Sequence, residues 1–226
     1  MVERIIVGPL HTNTYVVSTG KKDCVLIDPG DEVELLIERL EAINMVPRAI
    51  IFTHGHLDHT SAAQGIISWY RDRGEVGIGI HPEDAEFLGT QARTLNHETF
   101  AMFGEGGETY FNNTFSELPK VTFFLEHGDT VPDTDLKVIH TPGHTKGSIS
   151  LYSELRNYVF TGDTLFFKGI GKTSFAESSE TSLMESIEDR LLTLPPETRM
   201  FPGHGPNTSI EREKRDRSYS TDHSMF

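Results

Sequence analysis

The stretch Ala49-Ile50-Ile51-Phe52-Thr53-His54-Gly55-His56-Leu57-Asp58-His59-Thr60 runs from a short apolar segment straight into four side chains that can bind a metal. Imidazole and carboxylate groups suit zinc, iron and manganese. An apolar strand that breaks into a turn and then a helix aims successive side chains in different directions. On such a turn His54 and His56 could serve one ion while Asp58 and His59 serve a second close by. Four donors on one loop cannot encircle two ions, so the rest of the chain must return further ligands to the same place.

Three segments can do so. His144 lies in Thr141-Pro142-Gly143-His144-Thr145, Asp163 in Phe160-Thr161-Gly162-Asp163-Thr164, and His204 in Phe201-Pro202-Gly203-His204-Gly205. Each follows a short apolar run and stands beside a glycine, which lets the backbone turn sharply and bring the side chain to a sheet rim. A carboxylate such as Asp163 can bridge two ions. The remaining histidines, His11, His81, His97, His127, His140 and His223, lack this context and are expected to be structural or solvent-exposed, His11 being the least clear.

Around these motifs the chain reads as one α/β domain. Short apolar runs at Arg4–Val7, Thr14–Ser18, Cys24–Asp28, Ala49–Thr53, Val76–Ile80, Val121–Leu125, Leu136–His140, Ser148–Tyr152, Tyr158–Thr161 and Arg199–Phe201 predict strands. Val33, Leu36, Ile37 and Leu40 fall at helical spacing, with Asp31 and Glu34 as a weak capping box, and predict a helix over 32–44. Two more helices are expected, from Thr60 to Tyr70 and from Thr181 to Leu192, where Pro195-Pro196 ends the run. Residues 89–118 mix Gly, Asn, Thr and Glu with Phe100, Met102, Phe103, Tyr110, Phe111 and Phe115, and predict an irregular or partly helical insertion walling the site. Residues 211–226 form a charged tail, a short helix or a frayed end.

Composition narrows the setting. No run of about 18 apolar residues is present to span a bilayer, and the start resembles neither a signal nor a transit peptide, so a soluble, cytoplasmic protein with no membrane role is expected. A formal charge of −14 opposes attraction to phosphate backbones, so no nucleic acid is expected as a partner. The single cysteine, Cys24, reads as a buried strand thiol and permits no internal disulfide.

Over nearly residues 3–215 the chain resembles hydrolases of the metallo-β-lactamase superfamily, in the branch of hydroxyacylglutathione hydrolase (glyoxalase II). The markers are Asn13-Thr14-Tyr15, Ile27-Asp28-Pro29-Gly30, the Thr53–His59 motif, Thr141–His144, Thr161–Asp163, Gly169–Lys172 and Phe201–Pro206. The resemblance implies an αββα sandwich and two divalent metal ions, zinc first, with iron or manganese also suited. It implies that His54, His56 and His144 hold one ion, that Asp58, His59 and His204 hold the other, and that Asp163 bridges them. Asp28 is similar to the outer carboxylate that orients a ligand, a role that metal ligands need filled.

The expected reaction is hydrolysis of a small-molecule thioester by a metal-bridging hydroxide, with Asp58 as the catalytic group that orients it or takes its proton. A thiolate leaves without prior protonation, and the sequence offers no obvious separate acid. Lys172, at a Gly-X-Gly-basic position, is similar to the residue that contacts a glutathione carboxylate in glyoxalase II. The helical C-terminal domain of those enzymes is not expected here, so glutathione as carrier does not follow.

Other readings share the site. A persulfide dioxygenase-like oxidoreductase would hold a single iron on His54, His144 and Asp163, although Lys172-Thr173-Ser174-Phe175 departs from the Arg-Thr-Asp-Phe of that branch. A lactonase or phosphodiesterase could use the same two metals. A class B β-lactamase fits less well, since Asp163 stands where those enzymes place a cysteine. A flavin-partnered module would alter the ligand set. The aromatic insertion suits either a lid or a homodimer contact.

Overall fold

The computed structural model describes residues 1–215. Six strands form the first sheet in the order β1 (Val2–Val7), β2 (Thr12–Ser18), β3 (Asp23–Ile27), β4 (Val46–Ile51), β5 (Gly77–Ile80) and β6 (Phe123–Phe124). The second sheet runs β13 (Thr208–Ser209), β12 (Arg199–Pro202), β9 (Tyr158–Gly162), β8 (Ile149–Ser153) and β7 (Lys137–His140), and a small hairpin, β10 (Leu165–Phe166) with β11 (Gly169–Ile170), stands apart.

Alternation along the central strands assigns each side chain to a layer, because successive residues of a strand face opposite ways. Tyr15, Val17, Val25, Ile27, Ala49 and Ile51 meet Val138, Ile149, Leu151, Phe160 and Phe201 of the other sheet in the central core. Their neighbours Val16, Leu26 and Ile50 face the opposite way, against Leu36, Ile37 and Leu40 of α1 (Val33–Ala42) and Ile66 and Tyr70 of α3 (Ala63–Tyr70). On the far side, Val159 and Met200 pack on Leu183 of α6 (Glu180–Glu185), on Ile187 and Leu191, and on Ile210 of α7 (Ile210–Arg215). The result is the expected αββα sandwich. Each fully buried Leu, Ile or Phe contributes about 1.5–3 kcal/mol.

Several local expectations change. Helix α1 has no capping box: Glu32 precedes it in a left-handed conformation with no side-chain cap, and Asp31 instead accepts from the Glu32 amide at 2.7 Å. The run 60–70 divides into α2 (Leu57–Thr60) and α3, because the ligand turn itself winds into helix. The helix expected over Thr181–Leu192 starts as α6 and finishes in a π-helical turn, Ser186–Leu191, closed by a bond from the Leu192 amide to the Ile187 carbonyl.

The segment 89–118, expected to be irregular or partly helical, is a helical hairpin of α4 (Ala92–Ala101) and α5 (Gly104–Thr114), preceded by a 3-10 turn, Pro82–Phe87. Phe100, Tyr110 and Phe111 form a small core of their own with Leu10 and Leu57. Glycine and asparagine obscured the period, and tertiary burial of the aromatic residues supplies what propensity lacks. In the charged tail, α7 buries Glu213, which accepts from the Lys168 amide at 2.9 Å. The rest of that tail, with His223, lies outside the described residues. No helix among the described residues is long and apolar enough to cross a membrane.

Candidate metal centre

All the singled-out side chains emerge where strands end. Asp28 follows β3, His54 to His59 follow β4, Asp163 follows β9, and His204 follows β12, with β3/β4 and β9/β12 parallel pairs. Parallel strands deliver their carboxyl ends to one rim, where open α/β sheets place their sites. His144 joins them from the loop after β7.

The structure brings His54, His56 and His144 together in one group and Asp58, His59 and His204 in another, with donor atoms within 4.8 Å of one another in each. His54, His59 and Asp163 make a third such group that spans the two. Asp163 lies across the join: Oδ1 is 3.5 Å from His59 Nε2, and Oδ2 is 3.7 Å from His144 Nε2 and 3.5 Å from His204 Nε2. Two glycines make this convergence possible. A Cβ on Gly203 would meet Asp163 Oδ1 at 2.2 Å, and one on Gly30 would meet the Asp58 carbonyl at 1.8 Å.

Outward hydrogen bonds fix which nitrogen of each ring faces the centre. Asp28 Oδ2 accepts from His59 Nδ1 at 3.0 Å and from the Thr53 hydroxyl at 2.6 Å, while Oδ1 takes the Thr53 amide at 2.7 Å. With its proton given to Asp28, the Thr53 oxygen accepts from His54 Nδ1 at 3.2 Å. Glu177 Oε1 lies 3.4 Å from His56 Nε2. His144 Nδ1 donates to the Lys172 carbonyl at 2.9 Å, and His204 Nδ1 to the Leu10 carbonyl at 3.0 Å. In its neutral, ligating form each ring therefore turns a lone pair inward, from Nε2 in four cases and from Nδ1 in His56.

On the first side those lone pairs face one another, with His144 Nε2 and His56 Nδ1 3.0 Å apart. On the other side the surrounding carboxylates favour a proton between His59 Nε2 and His204 Nε2, 3.2 Å apart, which a bound ion would displace. His54 Nε2 and Asp163 Oδ1 are buried with no hydrogen-bond partner among the described residues. Opposed lone pairs and orphaned acceptors are costly, at about 1–3 kcal/mol for each unsatisfied buried group, and a cation removes the cost. Ligands about 2.0–2.1 Å from a tetrahedral ion stand about 3.3 Å from each other. The residues fit divalent ions.

Electrostatics divides the two groups. Burial, then the neighbouring imidazoles, hold His54 far below the ordinary histidine range and bring His144 down to about 4. Burial acts in the same direction on His59, but Asp163, Asp58 and Asp28 together outweigh it and lift that ring to about 10. Asp58 is held well below the usual carboxylate range, since His59 and His204 together outweigh its burial.

At the rim, the Phe175 ring stands edge-on to His56 and His144, with centroids at 5.0 and 5.4 Å, and Phe87 stands edge-on to His56 at 5.4 Å. Phe103, in the turn between α4 and α5, lies 6.0 Å from Phe175, and the Lys172 ammonium sits 4.3 Å from the Phe103 ring centroid. Glu177, Thr53, Phe87 and the two carbonyls were not singled out in the sequence. Only Thr53, the first residue of the Thr53–His59 marker, carried any signal there, as a family marker without an assigned role.

Asn13 and Tyr15, noted only as family markers, hold the His204 loop through bonds to the Pro202 carbonyl at 2.9 and 2.7 Å. His11 is exposed and outside the described donor groups. His81 and His140 stack at 4.1 Å with an interplanar angle of 11°, and together with Glu83 their donor atoms lie within 4.8 Å. Near-parallel rings do not aim lone pairs at a common point, and His81 Nδ1 and His140 Nε2 already bond to backbone groups. Cys24 is fully buried, and burial pushes its thiol up to about 12, which makes it inert.

Comparison with known proteins agrees with this geometry. The chain is 31% identical to a hydroxyacylglutathione hydrolase, GloC, of Haemophilus influenzae, over 96% of this chain and 97% of the relative. Its fold matches the BLEG-1 B3 metallo-beta-lactamase with a TM-score of 0.82 and 31% identity, covering 95% of this chain and 97% of the other. It also matches TTHA1623, solved in a di-iron-bound form, with a TM-score of 0.76 and 32% identity, covering 95% and 98%. A family model matches residues 7–204, a span that takes in all seven converging donors, and the chain belongs to the metallo-beta-lactamase superfamily.

Proposed function

We propose that the chain hydrolyses a small-molecule thioester at a centre of two divalent ions, zinc in the first instance. The observation that carries this reading is the inward set of seven donors in two groups joined by Asp163, each imidazole fixed by an outer partner. In this reading His54, His56 and His144 would hold one ion and Asp58, His59 and His204 the other, with Asp163 shared between the two groups. Ions bound there lower the pKa of a bound water toward neutrality and polarise a carbonyl oxygen.

The protein groups do the rest. Asp58, buried and kept ionised by His59 and His204, would orient the attacking water by accepting a hydrogen bond from it. Phe175, Phe87 and Phe103 line the approach and shield the acyl group from bulk water. Lys172 offers a cation at that rim for an anionic end of the substrate. The likeness to GloC supports a thioester of a hydroxyacyl group as the substrate class.

The test is hydrolysis of S-lactoylglutathione by protein reconstituted separately with Zn, Mn and Fe, with metal analysis and a His56→Ala control. The expected outcome is turnover with about two metals per chain, as two-metal hydrolysis requires, and loss of turnover in the control. Metal uptake without thioester cleavage under every loading overturns the thioesterase reading. The likeness to BLEG-1 favours β-lactam hydrolysis as the second reading, and nitrocefin turnover in the same samples checks it.

A further inference from the structure

Asp84 is a buried carboxylate outside the donor set, in the 3-10 turn Pro82–Phe87. Its Oδ2 accepts the Gly55 amide at 2.9 Å and the Thr145 hydroxyl at 2.7 Å, and its Oδ1 accepts the Gly147 amide at 2.7 Å. Gly55 stands between His54 and His56, and Thr145 directly follows His144. One carboxylate thus joins the two loops that supply the whole of the first donor group.

The approach is close on both sides. A Cβ on Gly55 would meet the Phe87 Cβ at 2.3 Å, and a Cβ on Gly147 would meet the Asp84 amide nitrogen at 2.6 Å. The turn therefore lies against both loops where only glycine fits. All three partners are donors, so the role calls for a group that only accepts. An amide at position 84 would accept on one side and set its own N–H against a donor on the other.

We propose that Asp84 is the positioning residue of the first ion: it sets the separation between His54/His56 and His144, and has no direct part in the group of Asp58, His59 and His204. Asp28 already serves His59 and, through Thr53, His54. Asp84 is its counterpart on the other flank, acting on backbone and hydroxyl donors rather than on an imidazole. The inference rests on the two-ion reading above.

The experiment separates the two ions genetically and reads binding instead of activity. Ion-free protein is titrated calorimetrically with Zn2+ in two backgrounds, His59→Ala, which retains the first group, and His56→Ala, which retains the second. Asp84→Asn is expected to weaken binding about 10- to 100-fold in the first background, the usual scale for loss of an outer partner, and to leave the second unchanged. Thr145→Val should shift the same background in the same direction by less, and Thr145→Ser should restore wild-type affinity.

Equal affinities with and without Asp84→Asn overturn the proposal, as does equal weakening in both backgrounds together with a fall in Tm. If Asp84→Asn does not fold, the Thr145 pair decides by the same criterion. If the wild type takes up no ion, the metal reading itself fails, and this inference falls with it.

Discussion

The donors on the turn after β4 and those that arrive singly from the facing sheet are supported by different chemistry. His54, His56 and His59 lean outward on side chains, namely Thr53, Glu177 and Asp28. His144 and His204 lean on main-chain carbonyls, those of Lys172 and Leu10. A turn that packs four donors into six residues cannot also place its own carbonyls behind every ring, so other elements must supply side-chain acceptors. A lone donor at a strand end meets the backbone of a neighbouring loop and needs nothing more specific. The first half of the centre is thus open to change by point substitution, whereas the second is set by the path of the chain.

The largest expected effect comes from removing Asp28. Asp28→Ala strips acceptors from His59, the Thr53 hydroxyl and the Thr53 amide. Metal affinity should fall about 10- to 100-fold, and stability by about 1–3 kcal/mol for each buried donor left unpaired. Metal content after dialysis and a thermal melt check this, and wild-type values in both would break the comparison.

Removal of metal should expose opposite pH limbs. His59, lifted to about 10 in the ion-free fold, has a folded pKa above its unfolded value. Its contribution is complete below the unfolded value and is lost as pH rises through about 10. His144, brought down to about 4, has the reverse sign: its contribution is complete above the unfolded value and is lost as pH falls toward about 4. Melts of ion-free protein across pH should show both limbs. His59→Gln should remove the alkaline one, and loading with metal should suppress it.

Lys172→Ala removes the cation but keeps the carbonyl behind His144. Metal content should stay at the wild-type level while KM for an anionic thioester rises roughly tenfold, equivalent to about 1.4 kcal/mol. A loss of metal would show that the side chain, and not the main chain, supports His144. The smallest effect belongs to Glu177→Gln, which keeps an acceptor oxygen for His56 Nε2. The loss of metal affinity should be well below that of Asp28→Ala in the same titration.

The sequence singled out all seven candidate donors because such residues are marked by type and by their place after apolar strands, as at His54, Asp163 and His204. The strand pattern itself read only as an α/β domain, and the sandwich came from the family resemblance; burial of β3 on both faces agrees with strands covered on both sides. Of the outer partners Asp28 was legible through the family resemblance; most of the others were hidden for physical reasons. The Leu10 and Lys172 carbonyls carry no residue identity, and Glu177 and Asp84 look like any acidic residue of a chain with charge −14. Helices α4 and α5 were obscured because their apolar residues face a small local core, with polar residues and glycines between them.

The core of the α4–α5 hairpin meets the ligand turns through Leu10 and Leu57, and its flank is tied on through Asn96, which donates to the Phe87 carbonyl, and Phe103, which lies against Phe175 and Lys172. Leu57 lies between His56 and Asp58, and the carbonyl of Leu10 receives the His204 ring. In evolutionary terms the hairpin is a cassette whose apolar seat is the pair Leu10 and Leu57. Its helices can be exchanged to suit another substrate, provided that each replacement seats an apolar surface on those two leucines and renews the contacts made by Asn96 and Phe103. Substrate preference can therefore drift quickly at the mouth of the site while selection on the ligand turn holds the anchors in place.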